Sequence, residues 1–394
     1  MIDQFRRKAL AILGRFTNGM RYMKIAVVFV IFSFVNVNTE RIKYFQPQTI
    51  MLEPHSTLEY QVALQDSVSE SDLLYKVSSI DGTPIFFYRK VFSPVCFDNK
   101  CRPLTVNLYW NITGRYLGFE LPDGEFLSKT DHDPFSTEEY EKLNRILANE
   151  STPLADIFYN ELTVSPNSHG LDNIDAIATA TPQNLAPYVI EGAAYTTFKL
   201  WHLIHGPTKN EVQDFTINEI SPDLVLKILE SPVQVDKIWA LEHIDGYVDF
   251  TPDLEEKVIG MITGDNYVVI EKALSAINKS QLDSYRVQQL LLKALVKENY
   301  NVQILVINKI EDCNLLKQSV TMELVENLAD LNGQVFKRAL AVLEKQQLSS
   351  EMYMKIAHLL RSQNYFISKS IANFLKNKDI KNPKINSLLK KYEN

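Results

Sequence analysis

The sequence predicts an α+β domain followed by an all-α array of repeated helix pairs. Two observations predict the array. Ala240, Ala273, Val306, Ala339 and Ala372 recur at a constant interval of 33 residues, and so do Leu254, Val287, Val320 and Tyr353. Val258, Leu291, Leu324 and Ala357 form a third register at the same interval. Registers that repeat together mean a unit of two helices, each burying one stripe on its neighbours. The α+β half rests on a third observation, a run of short alternating or aromatic-rich segments between 41 and 130. With 394 residues, 45% apolar and 23% charged, the chain has ordinary globular composition and room for two or three domains. The expected boundaries are 1–40 for a signal peptide or N-terminal anchor, 41–206 for the α+β domain and 207–394 for the array.

At the N-terminus, Arg6, Arg7, Lys8, Arg15, Arg21 and Lys24 precede an unbroken apolar run, residues 25–35. The run is shorter than the about 20 residues that cross a bilayer and suits a signal h-region of about 7–15. Met23-Lys24 directly before it resembles a natural start, and Val35-Asn-Val-Asn-Thr39 contains no Ala-x-Ala cleavage site. A signal peptide is the leading reading, with an uncleaved anchor or a buried strand as alternatives. The expected location is therefore exported, periplasmic or associated with the cell envelope, with membrane association through residues 25–35. Cys96 and Cys101 flank Phe-Asp-Asn-Lys, a hairpin-like spacing. In an exported chain a disulfide is the simplest pairing, with free thiols or a metal or redox pair left open. No further ligands stand at zinc spacing, and Cys313 reads as a small buried hydrophobe.

The elements follow in order. Leu58–Leu64 alternates, Pro84–Phe92 is aromatic-rich, and Leu104–Trp110 alternates before Asn111-Ile-Thr-Gly114, with Gly114–Leu121 after it. The last two read as an antiparallel hairpin. Ser136-Thr-Glu-Glu139 opens a helix to about Leu147 as a capping box, and residues 148–172 are polar and turn-rich. Pro182 to about His205 reads as one helix, closed by Gly206-Pro207. A lone helix at Pro222–Glu230 matches the second half of a repeat. Full pairs begin near Val235, Tyr267, Tyr300 and Gln334, and a last helix begins near Tyr365, one residue early in register through Ile371 and Leu375. The Lys-rich tail (Lys376, Lys378, Lys381, Lys384, Lys390, Lys391) reads as a solvated helix end. The ankyrin and tetratricopeptide signatures are missing. Short Ala/Leu/Val-rich pairs without a fixed signature resemble HEAT repeats, so the second half is expected to be an all-α solenoid of HEAT-like helix pairs.

The most specific local signal is Asp175-Ala-Ile-Ala-Thr-Ala-Thr181-Pro182. It resembles the flavin-attachment motif of the FMN-binding domain family, found in subunits of sodium- and electron-pumping respiratory complexes. That pattern is Asp-x-x-(Ser/Thr)-Gly-Ala-Thr, whose last Thr is joined to FMN through a phosphodiester. Asp175, Ala180 and Thr181 match, whereas Ala178 replaces the Ser/Thr and Thr179 the Gly. The resemblance covers roughly residues 80–205 and implies a hairpin followed by a motif at the mouth of a helix, where unpaired N–H groups favour a phosphate. Thr179 is β-branched and resists the positive φ that Gly allows. The plain alternative is an N-cap at Thr181 with Pro182 in the first turn.

Other chemistry-bearing residues are weaker signals. His202 and His205 share a helical face and form a possible metal pair, but capping or packing at a helix end is the simpler role. His132 between Asp131 and Asp133 is an acid/base candidate on a loop that reads as a turn. Tyr109, Trp110 and Tyr116 fit a ring-stacking site or ordinary sheet packing. No nucleophile elbow, Walker loop or dinucleotide fingerprint is present, so no catalytic or metal-ligating set is assigned. A net charge of −7 opposes nucleic acid. The function expected is an exported, non-catalytic interaction protein without a cofactor that binds a protein partner through its repeat surface. The alternative is an extracytoplasmic electron carrier with FMN on Thr181. A hydrolase or metal site around His132, His202 and His205 is a third, lesser reading.

Overall fold

Alternation in the first half becomes a six-stranded antiparallel sheet in the order β1-β6-β5-β4-β3-β2. The strands are β1 (Lys43–Phe45), β2 (Ser56–Gln61), β3 (Leu73–Ser78), β4 (Pro84–Ser93), β5 (Leu104–Asn111) and β6 (Tyr116–Glu120). The computed structural model describes residues 41–394 apart from 65–72, 96–101, 131, 159–160, 163–182, 332, 379 and 394. Strands β2, β4, β5 and β6 fall where the pattern places them. β1 is too short to show a period. β3 hides its period because Lys76 points inward beside Leu74, paired with Glu219 and lying over the Tyr60 ring.

One sheet face carries Ile85, Phe87 and Val91 with Leu104, Val106, Leu108 and Trp110, all buried. Three helices cover this face: α1 (Thr137–Ala148), α2 (Ala194–His205) and α3 (Pro207–Asn218). α1 starts at the expected capping box, with Ser136 and Glu139 satisfying each other's backbone N–H. The Trp110 indole N–H donates to the Ile204 carbonyl at 2.8 Å, and Phe87 meets Phe215 of α3. Gly114 closes the β5–β6 turn at φ +80, where a Cβ would sit 2.8 Å from Gln213 of α3. Only Gly fits both constraints.

The single helix expected over Pro182–His205 is not formed. Residues 183–193 make turns and a short 3₁₀ segment, and α2 begins only at Ala194. Pro187 removes a backbone donor, and Gly192 adopts φ +71, which ends any run of right-handed residues before α2.

The second half is helical throughout. A lone helix α4 (Pro222–Leu229) is followed by α5 (Gln234–Glu242), α6 (Pro252–Gly260), α7 (Tyr267–Ala276), the short α8 (Lys279–Leu282), α9 (Tyr285–Lys297) and α10 (Tyr300–Glu311). Then come α11 (Gln318–Asn327), α12 (Gly333–Glu344), α13 (Ser350–His358), α14 (Tyr365–Lys376) and α15 (Pro383–Glu393). Starts expected near Val235, Tyr267, Tyr300, Gln334 and Tyr365 match α5, α7, α10, α12 and α14. The tail expected as a solvated helix end folds into a separate helix, α15, anchored by buried Ile385 while Lys384, Lys390 and Lys391 stay exposed.

Contacts run between alternate helices. α5, α7, α10, α12 and α14 touch in succession, and so do α4, α6, α9, α11, α13 and α15. Positions recurring every 33 residues lie in the interior. Ala240, Ala273, Val306, Ala339 and Ala372 are all buried, as are Val258, Leu291, Leu324 and Ala357. Small residues at these points let neighbouring backbones approach closely. Ion pairs link one unit to the next on the outside: Lys257–Glu230, Lys272–Glu242, Arg286–Glu256, Arg338–Glu311 and Lys355–Glu326. Residues 41–394 form one compact unit, and no helix among the described residues is long and apolar enough to cross a membrane.

Candidate functional site

Several sequence-predicted residues lie outside the described residues: the apolar run 25–35, Cys96 and Cys101, and Asp175, Ala180 and Thr181. What is described after that motif bears on the phosphate argument, because the helix expected to begin at Pro182 starts at Ala194. The histidines are placed in structural roles. Rings of His202 and His205 reach the Leu154 and Leu147 carbonyls at 2.9 Å each and pack against Trp201. Burial pushes both below the usual imidazole value. His132 adopts φ 64 and its N–H donates to the Lys129 carbonyl, so it closes a turn. Among the described residues, no three His, Cys, Asp or Glu side chains group to hold a metal. Cys313 is buried, and burial pushes its thiol up to about 11.

The aromatic candidates separate by face. Trp110 and Tyr116 are buried against the helices. Tyr109 lies on the opposite face, in a row that crosses four strands. Tyr75 and Tyr88 stack at 4.7 Å, Tyr88 and Tyr109 at 5.5 Å, and Phe45 meets Tyr109 edge-on at 5.0 Å. Gly118 makes this possible, since a Cβ there would strike the Tyr44 carbonyl and the Phe45 ring. The Tyr109 hydroxyl donates to Glu120, and burial followed by that bond raises its pKa. Because the tyrosines stack on one another, their faces are taken by each other rather than open to a ligand.

The densest polar cluster was not foreseen. Asp236 of α5 is fully buried, and its carboxylate accepts from Thr49, Asn111, Thr113, Arg115 and Ser231. Arg115 reaches it twice, through Nε at 2.8 Å and Nη2 at 3.0 Å. Burial alone would raise the carboxyl, but the Arg115 guanidinium and then the Ser231 and Thr49 hydroxyls hold it below its ordinary value. Its acceptor sites are filled by protein donors, so the group fastens the first helix pair to the β5–β6 turn and offers no free base. The repeat itself carried the signal. Asp236 occupies the register of Val269, Val302, Val335 and Ser368, all buried. A carboxylate in a valine position marks the one unit that faces the sheet instead of another repeat.

The exposed apolar side chains of the array form the second feature. Val235, Tyr267, Val268, Tyr300, Tyr365 and Phe366 are exposed and lie in the first turn of α5, α7, α10 and α14. Tyr267 and Tyr300 are one repeat apart, and Phe366 stands two repeats further. Gly333 holds the equivalent place between them, at φ +52, with the Tyr300 hydroxyl 3.5 Å from where its Cβ would be. Asn266, Asn299 and Asn364 cap these turns by accepting backbone N–H groups. An Asn-aromatic pair at three of the five starts, those of α7, α10 and α14, is thus a recurring signature that the apolar registers alone did not reveal. These turns lie along one row of helices and make a ridge that Gly333 of α12 interrupts. Tyr247, Tyr285, Val296 and Leu315 are the other exposed large apolar groups of the region and share no register with it.

Compared with known protein families, with curated proteins and with solved structures, the chain finds no match.

Proposed function

We propose that this is an exported, non-catalytic interaction protein in which the two rows of helices form a HEAT-like solenoid that binds a protein partner. The observation that carries this reading is the ridge of Val235, Tyr267, Val268, Tyr300, Tyr365 and Phe366. Large apolar groups on neighbouring elements, left in solvent at matching positions, are what a protein-binding surface needs, and tyrosine is favoured at such surfaces. The ion pairs between units support the solenoid part, since they tie each unit to its neighbour and leave the ridge uncovered. The test is the variant Tyr267→Ser/Tyr300→Ser/Phe366→Ser in the full chain. It should melt like the parent and lose the proteins that the parent captures in its native host. Undiminished capture would refute the reading.

The electron-carrier alternative rests on the resemblance at Asp175, Ala180 and Thr181 and is separated by one measurement. Protein co-produced with a flavin transferase and then denatured is expected to be dark in a gel. A fluorescent band that disappears in Thr181→Ala would replace the interaction reading with the carrier.

A further inference from the structure

The far end of the array differs in charge from the rest of the chain. Residues 361–394 hold eight Lys or Arg against two acids, a net charge of +6 within a chain whose total is −7. Two of these cations converge beside a histidine. A cleft of about 370 Å³ opens between α13 and α15, and His358, Arg361 and Lys384 line it together with Met354, Pro383, Ser387 and Leu388. His358, Arg361 and Lys384 are exposed, none has an acidic partner among the described residues, and no acidic residue lines the cleft. Elsewhere in the array, Lys257, Lys272, Arg286, Arg338 and Lys355 each reach a glutamate of the preceding unit.

We propose that this cleft seats an acidic segment of the partner protein. A carboxylate meets Arg361 and Lys384, and a neighbouring aliphatic side chain rests on Met354 and Leu388. This rests on the partner-binding reading above and adds the chemistry of the partner. Charge complementarity selects an anionic occupant, because unpaired like charges gathered in one place repel until a counter-charge arrives. The apolar floor and the concave shape select a peptide over a bilayer, whose headgroup plane is flat and would engage Lys390 and Lys391 on the same helix equally. Nucleic acid is disfavoured because no Phe, Tyr or Trp ring lines the cleft to take a base.

The experiment uses the full chain and a short fluorescein-labelled peptide of Glu and Leu, followed by anisotropy. Saturable binding at low salt that weakens at high salt is expected. Arg361→Glu/Lys384→Glu should weaken it roughly tenfold, the sum of two exposed charge contacts turned repulsive. Lys390→Glu/Lys391→Glu should bind like the parent. All four positions are exposed, and matching thermal melts establish that each variant is folded. Absence of binding, equal loss in both variants, or binding to phosphatidylserine vesicles in place of the peptide would each overturn the proposal. If the peptide fails while the ridge variant still loses its captured proteins, only this inference falls. If the ridge variant captures as before, the partner-binding reading falls whatever the peptide does.

Discussion

The sheet region and the helical region solve the same packing problem in opposite ways. In the sheet each contact is made once: four of the five pairings join consecutive strands, and one closes over a long stretch of chain. β1 returns to lie beside β6, pairing Lys43 with Glu120, and the inward face holds single polar residues such as Lys76 and Arg89, whose partners are Glu219 and Thr208. In the array, each unit meets its neighbours through the same registers again and again, and its outer ion pairs repeat with them. A shared hydrogen-bonded ladder makes the sheet cooperative, because one strand cannot leave without exposing another. On the proposed solenoid reading, nearest-neighbour packing makes the array a sum of units and interfaces. Asp236 is one place where the two regimes are joined, with Lys227 of α4 reaching Asp81 and Thr83 as another, and it breaks the repeat register to do so.

The largest expected effect comes from cutting that joint. Asp236→Ala leaves the Arg115 guanidinium and the surrounding hydroxyls without their acceptor, at a cost of about 3–5 kcal/mol. The parent should unfold with far-ultraviolet circular dichroism and tryptophan fluorescence in one transition. In a Trp239→Phe background the variant should separate them, since the remaining Trp110 and Trp201 report on the sheet region, which the Asp236 cluster no longer ties to the array. Coincident transitions in the variant would mean that the two regions are coupled by other contacts and that the clasp is incidental.

Core truncations sharpen the contrast next. Phe87→Ala in the sheet and Leu324→Ala in the array both remove a fully or almost fully buried side chain, at about 3–5 and 2–5 kcal/mol. The energies are similar, but the spread should differ. Amide exchange in Phe87→Ala should rise across all six strands. In Leu324→Ala it should rise in α9, α11 and α13 and leave the sheet protected. Uniform exposure in both variants would show that the array is as cooperative as the sheet.

This contrast also explains how much was legible in the sequence. A repeated contact writes itself into the chain several times, so the starts of α5, α7, α10, α12 and α14 could be read from one interval. A contact made once leaves no such trace. β3 was missed because its inward Lys76 interrupts the apolar period, and the clasp was missed because Thr49, Arg115 and Asp236 are far apart in sequence. The break between residue 182 and α2 was missed because an apolar stretch with Pro near its start reads as helix, whereas Pro187 and Gly192 decide otherwise. The ridge lay in plain view as Asn-aromatic pairs, but the apolar registers drew attention to the buried faces. The sites predicted at Thr181 and at Cys96 and Cys101 came from local motifs, and neither the repeat nor the sheet pattern bears on them.

Acid should act on the sheet region before the clasp. His202 and His205 have folded values lowered by burial, below the ordinary 6.5 that applies when the chain is unfolded. The unfolded chain therefore binds protons first, so their support is complete above 6.5 and is lost as pH falls toward the folded values. Asp236 is also depressed, relative to 3.8, so its support is present above that value and lost as pH falls through the lower folded one. Thermal melts across this range should decline in two steps, and His205→Gln should remove part of the first alone. A single step near the carboxylate range would assign the acid sensitivity to the clasp.

The smallest effect tests whether a local change stays local in both regimes. Ser136 caps α1 and Asn299 caps α10, each by accepting backbone N–H groups of the first turn. Replacing either by Ala should cost about 1 kcal/mol. The α1 cap sits beneath the sheet edge, where Tyr44 stacks on Tyr140, so Ser136→Ala should loosen β1 and its pairing with β6 as well as the helix start. Asn299→Ala should fray the first turn of α10, carry Tyr300 with it and reach Gly333, but go no further, because the interior registers at Val306 and Ala339 are untouched. Partner capture should then weaken while the melt hardly moves. If exchange instead spread from Asn299 along the whole row of first helices, the array would behave as one cooperative body, and the distinction between its additive packing and the sheet's shared ladder would have to be abandoned.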